Sequence, residues 1–299
     1  MLDDTNNDFS PQEPRPIWSG VFITEFILIF VINALTITVF SRNRHLRKRT
    51  TYLIINLTVA DLLVGGVSGP LGIYFKYKIQ DGHGFSWREF CIFTFLFLFP
   101  VSSIVNLSLI SLERLHATLY PFRHCLVEKW VYFKAIICCW LLALIISSLS
   151  AVFYLYEPVE DLYVLILTSH VVITLLILII SYVIIIVKVR SNPLPQNFGA
   201  LASDRKLSVT LFMVTVVSIL TILPWPICAV IPFTTWSQQS STRFLITETA
   251  AVLSYANSVV NPCIYAIRMQ EFRKALKDLV YKETPDSTRA QPIEQQHSM

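Results

Sequence analysis

FCIFTFLFLFPVSSIVNLSLISLERLHATLY, Phe90–Tyr120, is the stretch whose reading decides the fold. Nothing between Phe90 and Leu112 is charged, and then Glu113 and Arg114 arrive together. An uncharged apolar run of this length reads as a membrane-spanning helix. Ionisable residues at the end of such a helix are costly unless they are used. Arg114 therefore marks a candidate working part. Pro100 and a series of small polar residues, Ser102, Ser103, Asn106, Ser108 and Ser111, share the same run.

Working outward, six more apolar segments flank this one. Together the seven are Ile17–Phe40, Thr51–Tyr77, Trp87–Leu119, Val131–Tyr154, Asp161–Val189, Lys206–Phe233 and Phe244–Ile267. Each reaches the ~20 residues that span a bilayer. Composition agrees: 54% of the 299 residues are hydrophobic and only 15% are charged, against about 25% charged in soluble domains. The expected fold is an all-α integral membrane protein, a seven-transmembrane helix bundle over 17–267. Residues 268–281 add a short amphipathic helix, with Phe272, Leu276 and Leu279 at helical spacing among lysines and arginines. The acidic, proline-bearing Met1–Pro16 reads as a disordered extracellular segment with no cleavable leader, and 282–299 as a disordered cytosolic tail.

Charge placement sets the orientation. Of the 24 Lys and Arg residues, 19 fall on one side of the seven segments, among them Arg42–Arg49, Arg123, Lys188, Arg190, Arg205, Lys206 and Arg268–Lys282. By the positive-inside rule that side is cytosolic and the N-terminus extracellular. The same clustering points to membrane topology and away from a nucleic-acid partner. The six cysteines have no metal-ligand spacing, and no catalytic triad, zinc pattern or phosphate loop is present, so an enzyme is not expected. There is no internal repeat of the kind that marks transporters.

Polar residues inside the spans need partners. Asp61 sits in the middle of the second segment, where a carboxylate requires a cation, a proton or hydrogen-bond donors. Asn33, Ser103, Asn257, Ser258 and Asn261 could supply them if the helices converge. Two readings stand: a sodium ion in an oxygen shell, or a protonated Asp61 in an interhelical hydrogen-bond network.

The order of motifs resembles the rhodopsin-like (class A) G-protein-coupled receptors. Asn33, the run Asn56-Leu57 with Ala60-Asp61-Leu62, Glu113-Arg114-Leu115, Trp140, Tyr182, Asn261-Pro262-Cys263-Ile264-Tyr265 and Phe272-Arg273 match that family's marks in sequence order. The resemblance implies a plasma-membrane receptor for an extracellular small-molecule, peptide or lipid ligand, acting on a heterotrimeric G protein. It implies that Arg114 is held by Glu113 and by Asp204 at rest, and meets Tyr182 and Tyr265 when the sixth helix swings out. It also places Asp61, Ser103, Asn257, Ser258 and Asn261 at the family's sodium site.

Departures qualify the match. Leu115 replaces the usual tyrosine, Ile222 stands where the family has its helix-six tryptophan with Trp225 displaced beside it, and Ser218 replaces a phenylalanine. Thr174 replaces the helix-five proline, and no cysteine between Trp140 and Tyr182 can pair with Cys91, leaving Cys91 a free thiol. Those changes admit a second reading, a seven-helix scaffold or partner protein without ligand-driven coupling. The ligand candidates are Tyr74, Leu96, Phe97, Pro100, Trp225, Glu248, Ala251 and Tyr255. Leu96 replaces the aspartate of amine receptors, Tyr255 the lysine of opsins and Ala229 the asparagine of adenosine receptors, so none of those three chemistries is expected.

Overall fold

The computed structural model describes residues 15–46, 51–78, 86–155, 161–191, 212–213, 215–230 and 241–280. Residues 1–14, 47–50, 79–85, 156–160, 192–211, 214, 231–240 and 281–299 lie outside the described residues; Asp204 and both ends of the sixth apolar segment are among them.

The described chain is helical. In order come α1 (Arg15–Arg42), a short 3-10 turn (Arg44–Leu46), α2 (Thr51–Leu63), a π turn (Val64–Ser68), α3 (Gly69–Lys78), α4 (Trp87–Leu119), α5 (Pro121–His124), α6 (Lys129–Leu155), α7 (Asp161–Ser191), α8 (Pro224–Val230), α9 (Ser241–Arg268) and α10 (Gln270–Val280). Among the described residues, six helical stretches are long and apolar enough to cross a membrane; α2 to α3 counts as one of them, and Thr215–Cys228 is a shorter apolar helix. The third, Trp87–Leu119, has the bounds that the sequence implies.

The outside of the bundle is as apolar as its inside. Ile137, Leu141 and Ile145 of α6, and Val172, Leu176, Ile180 and Val183 of α7, are exposed. Such surface is stable only in lipid, where helices satisfy their own backbone bonds. Inside, two apolar clusters form. One holds Phe22, Phe26, Val64, Phe99, Ala143 and Leu167. The other holds Phe40, Leu57, Ile110, Leu178, Tyr265 and Phe272. Asn33, Asp61, Ser103 and Ser258 each fall between the two clusters along their own helices, so they form a polar layer in the middle of the bundle.

Prolines act differently from one helix to the next. Pro100 and Pro262 lie within continuous helices. Pro224 follows a turn at Leu223 and opens α8, while the π turn precedes Pro70. Gly65, in that turn, permits the close approach of α1. A Cβ there would stand 2.7 Å from both the Phe26 carbonyl oxygen and the Phe30 amide nitrogen. The amphipathic α10 docks by Phe272, which is 1% exposed and packs its ring 5.3 Å from that of Phe40.

Candidate functional site

The polar layer converges on Asp61. Ser103 of α4 and Ser258 of α9 donate to Oδ1 at 2.6 and 2.7 Å, and Asn261 donates to Oδ2 at 2.9 Å. Asn33 donates to the carbonyl of Ser258 at 3.0 Å, which ties α1 to the same point. Three helices thus meet on one carboxylate and a fourth on the adjoining carbonyl, because each carries its polar residue at the same depth. Asn257 is buried in the layer without bonding Asp61.

The donor set fits a small hard cation. The carboxylate and the two hydroxyls are oxygen ligands, and Asn33 Oδ1, Asn257 Oδ1 and Asn261 Oδ1 are buried without a hydrogen-bond partner among the described residues. Orphaned buried acceptors are costly and want a donor or a cation. No group of three or more His, Cys, Asp or Glu that could hold a metal occurs among the described residues.

Arg114 lies at the end of α4 and is 2% exposed. Its Nε donates to Glu113 Oε2 at 2.5 Å and its Nη2 to Glu113 Oε1 at 2.8 Å. Adjacent helical residues do not face each other, which suggested only a glancing contact from the side. Here the guanidinium nonetheless grips both carboxylate oxygens. Such a fork is the strong form of the pair. Glu113 has two further partners that the sequence did not reveal. His124 of α5 places Nε2 3.2 Å from Oε1, and Tyr132 of α6 donates to Oε1 at 3.3 Å. Tyr182 and Tyr265 are buried and make no hydrogen bond to Arg114; Thr215 is the polar neighbour of the Tyr182 hydroxyl.

A cavity of about 140 Å³ opens in the other half of the bundle. Of the residues named from sequence, Phe97, Pro100, Trp225, Ala251 and Tyr255 line it. Three do not. Leu96 is buried one residue round α4 and faces Gly72 of α3. Tyr74 accepts from Arg88 at 3.0 Å. Glu248 pairs with Lys76 at 2.5 Å, and Lys76 stacks over the Phe22 ring. Glu25 turns inward, with Oε2 buried and unpartnered among the described residues. Ile222, noted from sequence only as the replacement of the family's tryptophan, also lines the cavity, as do His170 and Ser254, which were not singled out from sequence. An isolated histidine in an apolar span carries no motif, so only the fold finds it.

Comparison with known sequences gives the decisive observation. The profile of the 7 transmembrane receptor (rhodopsin family) matches residues 32–265, most of the chain and all of the helices that build these sites. The chain belongs to the rhodopsin family of seven-transmembrane receptors. Its relatives include human neuropeptide FF receptor 1, 26% identical over 322 residues that cover 91% of this chain and 73% of the relative. Rabbit (Oryctolagus cuniculus) alpha-1A adrenergic receptor is 25% identical, covering 93% and 71%. Human adenosine receptor A2a is 26% identical, covering 88% and 72%. The identities are almost equal across three differently named receptors, so they fix the family and leave the subfamily open. A rhodopsin-family receptor is a multi-pass membrane protein and not an enzyme. The sixth span of this receptor is the one only partly described, around Thr215–Cys228.

Proposed function

We propose that this receptor lies in the plasma membrane with its N-terminus outside, takes an extracellular ligand in the cavity beside Trp225 and Tyr255, and activates a heterotrimeric G protein from the opposite end. The observation that carries the reading is Arg114. A guanidinium this deeply buried, forked onto Glu113 and not bonded to Tyr182 or Tyr265, suits the resting half of a two-state switch. Movement of the sixth helix would free Arg114 toward those two tyrosines. The lipid bilayer covers the exposed apolar faces, and no nucleic acid is involved.

The cavity favours a small, mainly apolar ligand. Among the described residues no Asp, Glu, Lys or Arg lines it, so a cationic amine would meet no carboxylate in the lining itself. His170 offers the polar handle. Both ring nitrogens are buried, and the nearest acceptors are the carbonyls of Ile166 and Leu167 in the preceding turn. Those carbonyls can serve only the N–H. The other nitrogen accepts, and a ligand hydroxyl or amide N–H would satisfy it.

A sodium ion held by Asp61, Ser103, Asn257, Ser258 and Asn261 would stabilise the resting state, because a ligand shifts a population only through differential affinity. The test of the whole reading is nucleotide exchange on purified G proteins by the receptor in nanodiscs, with and without a ligand library. Exchange above the receptor-free rate supports it. No exchange with any G-protein class, from a receptor that is folded and at the cell surface, would favour the second reading, a scaffold that has lost coupling, to which Leu115 and Ile222 lend themselves.

A further inference from the structure

We propose that His116 and His124 form a one-proton site that hands Glu113 a replacement cation when Arg114 leaves it. The inference rests on the reading of Arg114 as a switch at the cytosolic end.

The local sequence makes the site. At Tyr120 the backbone leaves the helical region (φ −129°, ψ 61°), and Pro121 starts the short α5. The chain doubles back, so His124 returns against α4. Its Nε2 lies 3.2 Å from Glu113 Oε1, and its Nδ1 lies 3.3 Å from Nδ1 of His116. His116 is exposed, whereas Glu113 is only 10% exposed. One histidine thus meets solvent and the other meets the carboxylate.

Hydrogen inventory fixes what the pair can hold. An ionised carboxylate only accepts, so His124 Nε2 carries a hydrogen. The two Nδ1 atoms face each other, and one hydrogen fits between them. With both rings neutral, that hydrogen sits on His116 Nδ1 and points at His124 Nδ1. A proton from the cytosol then binds the bare Nε2 of His116. The Nδ1–H bond of His116 breaks and an Nδ1–H bond forms on His124. One proton has entered, His116 is neutral again, and His124 is an imidazolium with both N–H groups engaged. A second proton would set two N–H groups against each other, with two cationic rings 5.6 Å apart, so the pair takes one.

The surroundings give the sign. From α4 the pair meets Glu113, Arg114 and Tyr120; from α5, Arg123, whose guanidinium lies 5.9 Å over the Tyr120 ring; from α6, Tyr132, on the same carboxylate oxygen. Glu128, in the turn before α6, is taken by the Trp130 indole. Among the described residues, Glu113 is therefore the carboxylate the pair answers to. At rest Arg114 neutralises Glu113. Once Arg114 leaves, a nearly buried carboxylate would face neutral donors alone, and an uncompensated charge of that kind is strongly unfavourable. A protonated His124 removes the problem. The pair also binds its proton more tightly after Arg114 has gone, because a neighbouring positive charge has left. Proton binding and Arg114 release favour each other, as linkage requires.

Two measurements test this on the full-length receptor in nanodiscs. The first is NMR titration of ¹⁵N-histidine-labelled receptor, wild type, His116→Gln and His124→Gln. We expect the His116 and His124 rings to titrate as one unit that takes up one proton, and His116→Gln to move the His124 transition. The second is basal nucleotide exchange across about pH 5 to 8, the range in which histidine switches, corrected for exchange without receptor. Acidification should raise it about fivefold, the low end of usual coupling factors. His124→Gln should be flat at the alkaline level, His116→Gln should keep a slope displaced with the His124 transition, and His124→Arg should be flat at the acid level. Two rings that titrate independently, or a pH slope that survives His124→Gln, would overturn the proposal. If the wild type drives no exchange at any pH, the receptor reading fails instead, and the titration still decides whether the one-proton pair exists.

Discussion

Trp140 of α6 donates its indole N–H to Oδ1 of Asn56 on α2 at 2.9 Å. Asn56 is 8% exposed, and its Nδ2 has no partner among the described residues. The bond is therefore the polar tie at that point between the two helices. Trp140→Phe keeps the ring that packs on Phe99 and removes the donor, leaving a buried acceptor bare. It should destabilise the protein by about 1–3 kcal/mol, read as a lower thermal midpoint in detergent. Asn56→Leu should cost a similar amount, and the double variant less than the sum, since both remove one bond. Additive losses would show that the two residues stabilise the bundle separately.

Gly65 and Gly66 make a controlled comparison. A Cβ at Gly65 would meet backbone atoms of α1 at 2.7 Å, whereas one at Gly66 would meet only the Phe30 ring, at 3.0 Å. Backbone cannot move aside without shifting a helix; a ring edge can. Gly65→Ala should sharply reduce the yield of folded receptor, with overpacking of the usual 1–3 kcal/mol or more. Gly66→Ala should be tolerated, as judged by monodisperse yield and thermal midpoint. Equal yields would mean that α1 does not press on the π turn as described.

Much of the fold is legible in sequence because lipid leaves few options. Apolar length gives the spans, and for α4 it gives the observed bounds, Trp87–Leu119. Asp61 and its serine and asparagine partners were also readable, since a carboxylate in mid-span must find donors. What stayed hidden depends on rotation and chain reversal. Whether Leu96 or its neighbour Phe97 faces the cavity turns on about 100° of helix rotation, and that is set by Gly72 packing on Leu96. His124 lies in a loop by sequence. Only the turn at Tyr120 brings it to Glu113. The bidentate contact of Arg114 with Glu113 depends on side-chain rotamers, which helical spacing does not show.

The Asp61 cluster predicts a sodium effect. The carboxylate accepts three hydrogen bonds, and three nearby amide oxygens are unpaired. Wild-type receptor should unfold at a higher temperature in sodium chloride than in potassium chloride of equal ionic strength. Asp61→Asn should abolish the difference and lose part of the stability outright, because an amide NH2 turned toward Asn261 would oppose its donor. Equal midpoints for the wild type in the two salts would reject the ion.

The cavity predicts a ligand preference that can be scored before any ligand is known. His170 is the lining side chain with buried ring nitrogens, and Leu96 lies outside. In a fragment screen by thermal shift, apolar hydroxyl- or amide-bearing compounds should raise the midpoint and cationic amines should not. His170→Phe should weaken the best hits by about tenfold, roughly one hydrogen bond, while Leu96→Ile should leave them unchanged. A loss of equal size from Leu96→Ile would relocate the site.

The switch itself gives the most discriminating set. Sequence assigned the tie between the third and sixth spans to Asp204, which lies outside the described residues, and only a side-on brace to Glu113. The fork from Arg114 onto Glu113 assigns Glu113 more. Glu113→Gln removes the charge and leaves a single acceptor oxygen, so Arg114 should be released more often and basal nucleotide exchange should rise. Asp204→Ala should raise it too if that carboxylate ties the sixth span to Arg114 at rest. The two should not add, because both act on one guanidinium. Arg114→Ala should lower ligand-driven exchange in all three backgrounds while surface expression persists. A rise from Glu113→Gln with none from Asp204→Ala would mean that the resting state is held within α4 and its histidine and tyrosine partners. The reverse would return the lock to the sixth span. No rise from either, in a receptor shown to couple, would leave Arg114 as a G-protein contact without a resting lock.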